Sequence, residues 1–171
     1  VRRIVSYKRE TKSTLPKVVW QFLVMKHNEH ELEDIKKMSQ ELMVDKLQLK
    51  SVQIYAKEDI DNFLPKNKKY RRYKINGDSF ELKFKLKNRC RRLWTQPVIN
   101  WNGDFAVCCF DKDNDIFIGN IGDIGGLAGL WKNKKIQNFR QLVLKNRESI
   151  PMCRNCGEGV KLNLKSYRPN E

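Results

Sequence analysis

The sequence predicts a mixed α/β protein in two parts, a parallel β–α–β unit followed by a small cysteine-rich α+β module. Three observations carry that expectation. An apolar run at 18–25, an amphipathic helical pattern and a second alternating apolar segment follow one another within residues 18–55. Glycine-marked turns then separate short strand-like segments between 93 and 121, and all five cysteines fall between 90 and 156.

The run VVWQFLVM at 18–25 is apolar on both faces, as in a central strand of a parallel sheet covered on each side. In HNEHELEDIKKMSQELMVD, Asn28 and Glu31 have the form of a capping box, and Glu29, Glu31, Glu33 and Asp34 load the first turns with negative charge. Leu32, Ile35, Met38 and Leu42 form one apolar stripe, which predicts a helix over 28–43. KLQLKSVQIY at 46–55 predicts the second strand, with Leu47, Leu49, Val52 and Ile54 facing inward. A crossover helix between two parallel strands makes the β–α–β unit. Two strands cannot bury these apolar faces, so more strands are needed than this chain supplies.

Residues 57–88 read as a connector: Pro65 and the basic cluster KNKKYRR mark a loop, and Asn76-Gly77 signals a two-residue hairpin turn. Beyond Cys90, segments 93–101 and 104–110 flank Asn102-Gly103, a second hairpin signal, and IFIGNI at 116–121 offers a third strand. Residues 126–147 read as helical, with Leu127, Leu130, Trp131, Phe139, Leu142 and Val143 on apolar faces. Trp101 and Trp131 are expected in the core. The organisation is thus 1–56, a connector 57–88, a cysteine-rich domain 89–160 and a basic tail 161–171.

With 171 residues, 40% hydrophobic and 32% charged, the chain has the composition of a globular protein. Its apolar runs are too short to span a bilayer and VRRIVSYKRE has no signal-peptide core, so a cytoplasmic location is the default expectation. The chain opens mid-pattern without Met, as a piece of a longer protein would. Lys and Arg outnumber Asp and Glu by 35 to 20, a formal charge of +15. The basic residues are spread along the whole chain without an RNA-module signature or interleaved aromatics, which favours a solvated lysine-rich surface over a nucleic-acid site.

The odd cysteine count and the lack of a secretion signal argue against a disulfide scaffold. On a strand, Cys108 and Cys109 would point to opposite faces, so one of them joins a site and the other packs as a small hydrophobe. Cys90, one of that pair, and the knuckle Cys153-Arg-Asn-Cys156 leave four thiols. Such a set fits tetrahedral zinc or an iron–sulfur cluster. Zinc ribbons usually pair two C-x2-C knuckles, whereas here 17 residues separate the first two thiols, which leans toward a cluster.

Cys90, twelve residues, Gly103, four residues, Cys108 and a distant C-x2-C resemble the SPASM/Twitch domain, the auxiliary-cluster module of many radical S-adenosylmethionine (radical SAM) enzymes. CRRLWTQPVINWNGDFAVCCFDKD, IGNI, a helix with Trp131 and IPMCRNC agree with it, over about 90–157. The resemblance implies that Cys108 rather than Cys109 is the ligand, and that Cys90, Cys108, Cys153 and Cys156 hold one auxiliary 4Fe–4S cluster. No cysteine follows Cys156, so the shortened, Twitch-like form is expected. Residues 16–55 look like the terminal β–α–β unit of the radical SAM partial (β/α) barrel. The C-x3-C-x2-C motif of the catalytic cluster is missing from the sequence, so this chain alone is not expected to cleave S-adenosylmethionine. Partners implied are the N-terminal half-barrel, in the same or a separate chain, a peptide substrate, and an electron donor such as flavodoxin or ferredoxin. The alternative is a zinc-stabilised four-cysteine module with a basic nucleic-acid-binding surface.

Met25, Lys26, Asn28, Lys50 and Gln53 lie near the C-terminal ends of the two expected strands, where barrel enzymes gather ligand contacts. The resemblance would turn them toward S-adenosylmethionine or substrate. His27 and His30 are expected to be solvated, and Asp111 and Asp113 to form a solvated acidic turn.

Overall fold

The computed structural model describes residues 1–77, 79–123, 125–158, 164 and 166–169. The chain divides into two compact units, Val1–Lys83 with Leu162–Glu171, and Phe84–Lys161. Among the described residues no helix is long and apolar enough to cross a membrane.

The first unit opens on helix α1 (Arg2–Glu10), anchored where Lys8 Nζ lies 2.6 Å from Asp45 Oδ2. Strand β1 (Val19–Val24), helix α2 (Leu32–Glu41) and strand β2 (Lys46–Ser51) then form the expected β–α–β unit. The strands pair in parallel, Val19 opposite Lys46 through Val24 opposite Ser51. Leu47 and Leu49 bury against Val24, and Leu32 and Ile35 of α2 pack over them. Of the expected stripe only Met38 departs, being exposed, while Leu42 is half-buried. A short strand, Ser166–Tyr167, pairs antiparallel with the other side of β2.

Two expectations are corrected here. In this three-stranded sheet β2 is central and β1 is the edge, with Val19 and Leu23 exposed, so β1 is covered on one face only. Asn28 does not cap the helix by a capping box. Its Oδ1 accepts from the Met25 N–H at 2.8 Å and its Nδ2 donates to the Leu23 carbonyl at 3.0 Å, tying the strand end to the turn. A single 3-10 turn, Glu29–Glu31, precedes α2, and the Glu29 carboxylate accepts from the backbone of Lys66 and Asn67 at 2.9 and 3.0 Å.

Helix α3 (Glu58–Phe63) lies within the segment read as a connector, followed by strands β3 (Tyr73–Asn76) and β4 (Ser79–Leu82). The hairpin is as expected, but Asn76 pairs with Ser79, so the connection is 77–78 rather than Asn76-Gly77. Gly77 takes the positive φ of +56° that such a turn requires, and position 78 lies outside the described residues.

In the second unit, helix α4 (Arg92–Thr95) stands where the start of a strand was expected. Strands β5 (Val98–Ile99), β6 (Asp104–Ala106) and β7 (Gly119–Asn120) form an antiparallel sheet in that order. The β5–β6 connection is not a two-residue turn. Asn100 N–H reaches the Asp104 carbonyl at 2.8 Å, Gly103 N–H reaches the Asn100 carbonyl at 2.9 Å, and Gly103 has φ +87°. This is a three-residue loop closed by a left-handed glycine, and its extra residue turns Trp101 out into solvent, 99% exposed rather than core.

Helices α5 (Gly126–Lys132) and α6 (Lys134–Asn146) replace the single expected helix, broken at Asn133, whose side chain accepts from Lys135 N–H. Leu130, Phe139 and Val143 are buried as expected, with Ile136, while Leu127 and Leu142 are exposed. A Cβ at Gly119 would come within 2.6 Å of the Leu130 side chain, so the glycine lets α5 approach the sheet. Phe105 and Trp131 meet edge to face at 6.0 Å, and helix α7 (Pro151–Arg154) closes the unit.

Phe105→Ala should cost about 3–5 kcal/mol in chemical denaturation of the second unit, the range for deleting a buried aromatic. Trp101→Ala should stay within about 0.5 kcal/mol, because an exposed side chain loses no buried contact.

Candidate metal centre

Four thiols are delivered by three separate segments. Cys90 precedes α4, Cys108 follows β6, and Cys153 and Cys156 lie on and just beyond α7. Pro151 begins α7, where its missing N–H costs nothing. Cys153 N–H then donates to the Ile150 carbonyl at 3.0 Å, and Cys156 N–H to that of Cys153 at 3.1 Å. The knuckle spacing turns both side chains into one cavity. Cys90, Cys108, Cys153 and Cys156 line that cavity together, with apolar walls from Leu93, Phe110, Phe139 and Met152.

The Cys108 loop is built around Asp111. Its N–H donates to the Cys108 carbonyl at 3.1 Å, and its carboxylate accepts from Asp115 N–H at 2.9 Å and Ile116 N–H at 3.4 Å. Asp111 is buried, so it is a turn organiser and not the solvated acid expected of it; Asp113 is exposed. Two backbone N–H groups point at sulfur, Phe110 to Cys108 Sγ and Glu158 to Cys156 Sγ, each at 3.4 Å. Such bonds favour the thiolate.

Burial dominates the electrostatics. It raises the Cys108 and Cys156 thiols above their ordinary range, against the pull of those two backbone N–H groups. Burial, aided by the neighbouring Cys108, pushes Cys153 up to about 12, with Arg147 opposing. The three thiols are therefore neutral near pH 7, and ionising them together needs a cation in the cavity.

Arg147 is buried on the cavity wall. Its guanidinium donates to the carbonyls of Arg89 (3.0 Å), Cys156 (3.2 Å) and Glu158 (3.1 Å). At the rim, Arg92 Nε lies 3.0 Å from Glu158 Oε1, and Arg92 Nη1 lies 3.1 Å from Cys109 Sγ. Cys109 is exposed, contrary to the expectation of a packed hydrophobe. Strand β6 ends at Ala106, so the alternation argument does not reach the cysteine pair.

The remaining expected site residues lie in the first unit. Met25 packs against the cluster containing Val52, Ile54 and Tyr73, Asn28 is engaged with backbone, and Lys26 Nζ donates to the Asp61 carbonyl. Lys50 is exposed on β2, and Gln53 Oε1 accepts from Arg72 at 3.4 Å. His27 and His30 are exposed. Among the described residues no three His, Cys, Asp or Glu side chains are grouped as ligands of a single metal ion. The residues missed by sequence reasoning are Arg147, Arg92 and Glu158. Each is one charge among many in a basic chain, and no spacing rule marks it.

Residues 90–157 match the SPASM family, described as an iron–sulfur cluster-binding domain. No curated protein and no solved structure matches the chain. Residues 90–157 thus carry a SPASM-type iron–sulfur cluster-binding domain, and the four thiols on one cavity lie within the matched span.

In metal-free protein, mass spectrometry after brief alkylation at mildly alkaline pH should find Cys109 labelled first and Cys153 last. Because the folded state holds Cys153 well above its ordinary 9.0, its contribution to stability is fully present below about pH 9 and falls as pH rises toward about 12. The expected loss is about 1.4 kcal/mol per pH unit in that window. A flat stability profile there, or early labelling of Cys153, would contradict the burial.

Proposed function

We propose that this chain is the auxiliary-cluster part of a radical SAM enzyme, with one 4Fe–4S cluster held by Cys90, Cys108, Cys153 and Cys156. The observation that carries this reading is the convergence of four thiols from three segments on one apolar-walled cavity inside the SPASM match. The residue types fit the group, since iron–sulfur clusters are held by cysteine thiolates.

When bound, such a cluster supplies one-electron transfer. Four thiolates leave no open iron position, which favours electron relay over direct coordination of substrate. Leu93, Phe110, Phe139 and Met152 keep water from the sulfurs, and the N–H groups of Phe110 and Glu158 stabilise thiolate charge. The β–α–β unit of the first domain is read as the end of a partial barrel, whose edge strand β1 has exposed Val19 and Leu23 for a neighbouring layer. The catalytic C-x3-C-x2-C motif, S-adenosylmethionine binding and the substrate, a peptide on this reading, belong to the complete enzyme. Met25, Lys26, Asn28, Lys50 and Gln53 stay the candidates of this chain for contact with either ligand. A flavodoxin or ferredoxin would supply electrons.

The test is iron, acid-labile sulfide and zinc content after anaerobic reconstitution, with EPR of the reduced sample. About four irons and four sulfides per chain are expected. Cys153→Ala and Cys156→Ala should each lose most of that iron with the circular dichroism retained, whereas Cys109→Ala should keep it. One zinc and no sulfide would sink the cluster reading and turn attention to the basic surface.

A further inference from the structure

Arg147 is a long, charged side chain that is 2% exposed. Three carbonyls satisfy the ends of its guanidinium, and its backbone N–H donates to Asn88 Oδ1 at 3.0 Å. Its Nε–H is buried and has no hydrogen-bond partner among the described residues. Nor is a carboxylate paired with it among those residues. A buried guanidinium balanced only by carbonyl dipoles leaves its charge largely uncompensated, and a buried orphan N–H adds a further cost. Both defects fall on a side chain that lines the four-thiol cavity. The buried Arg140 shares the orphan, at Nη2, but differs in place: its guanidinium sits 4.4 Å from the Trp131 ring centroid, donates to Leu93 and Trp131 carbonyls, and does not line the cavity.

A thiolate-ligated cluster is anionic, and its charge would compensate the arginine. The carbonyls that Arg147 grips belong to Arg89, next to Cys90, and to Cys156 itself. One side chain thus ties together the two ends of the domain that carry ligands. We propose that Arg147 is the counter-charge and positioning clamp of the cluster: Nε–H donates to a sulfur of the thiolate-ligated centre, the cationic charge stabilises its reduced form, and the other nitrogens hold the Cys90 and Cys156 segments together. This inference rests on the auxiliary-cluster reading. Uptake of one electron, from any low-potential one-electron donor, adds one negative charge beside the guanidinium, so the arginine raises the reduction potential.

The full chain is reconstituted anaerobically and titrated with a one-electron reductant under EPR, and iron release to a chelator is timed. Arg147→Met should lower the potential by on the order of a tenfold change in the reduction equilibrium constant, about 59 mV for one electron, and speed iron release several-fold. Arg147→Lys keeps the charge but loses the fork, so its potential should stay near wild type while iron release is still faster. Lys145→Met removes an exposed charge from α6 and should change neither, because solvent screens it. Wild-type potential and iron release in Arg147→Met would overturn the proposal, and so would an equal fall in potential in Lys145→Met. Should Arg147→Met not hold iron, Arg147→Lys decides: faster release at near wild-type potential supports the clamp, and wild-type release overturns it. A wild-type chain with one zinc and no sulfide would overturn the cluster reading itself; a sulfide-containing wild type with an indifferent Arg147→Met overturns this inference alone.

Discussion

Holding four thiols from three segments against one apolar-walled cavity is the constraint around which the second unit is arranged. No disulfide links these cysteines among the described residues, so their positions depend on packing and backbone hydrogen bonds. The core formed by Leu93, Phe105, Ile118, Leu130, Ile136, Phe139, Val143 and Ile150 includes Cys153, and Cys90, Cys108 and Met152 pack against it. The apolar core and the cavity wall are therefore one structure. The burial that stabilises the fold also makes the thiolates of Cys108, Cys153 and Cys156 expensive and raises those three thiols in pKa. A site built this way gains stability when a metal centre supplies positive charge to its sulfurs, which couples cofactor loading to folding.

Small local features deliver the thiols. Gly103 lets the β5–β6 loop close in a left-handed conformation, and Asn120 Nδ2 locks it by donating to the Asn102 carbonyl at 3.0 Å and to Asp104 Oδ1 at 2.9 Å. Strand β6 then leads into the Asp111 turn, whose buried carboxylate fixes where the Cys108 backbone leaves the sheet. At the other end, Pro151 sets the start of α7 and the knuckle follows within one turn. Gly119 admits Leu130 of α5 to the sheet, and the following α6 places Phe139 on the cavity wall, with Arg147 just past its end.

Periodicity revealed the parallel β–α–β unit and the two hairpins because those patterns depend on neighbours in the chain. The cysteine spacing revealed the cluster family for the same reason, since a C-x2-C knuckle is a local geometry. What sequence missed was set by length or by distance. Strand β6 stops two residues before Cys108, which voids the face argument for Cys109. One extra loop residue reverses the environment of Trp101. Asn28 and Glu31 satisfy the capping pattern, yet Asn28 is drawn to the end of β1, a partner the helix pattern does not contain. Arg147 owes its role to Arg89, Cys156 and the cavity, none of which its own neighbours along α6 reveal.

The formal charge of +15 is the most conspicuous feature of the composition, yet it has little authority over the centre. Exposed lysines act through water, and salt screens them within about 8–10 Å. A single guanidinium excluded from water and lying on the cavity wall acts through a medium of much lower effective dielectric, where the same charge is felt several times more strongly. The chain can therefore vary its basic surface while the electrostatics at the sulfurs stay set by a few groups at the cavity: the buried Arg147, and the two N–H donors of Phe110 and Glu158. On the proposed reading, those groups and the dehydration around them determine how readily the centre holds an additional electron.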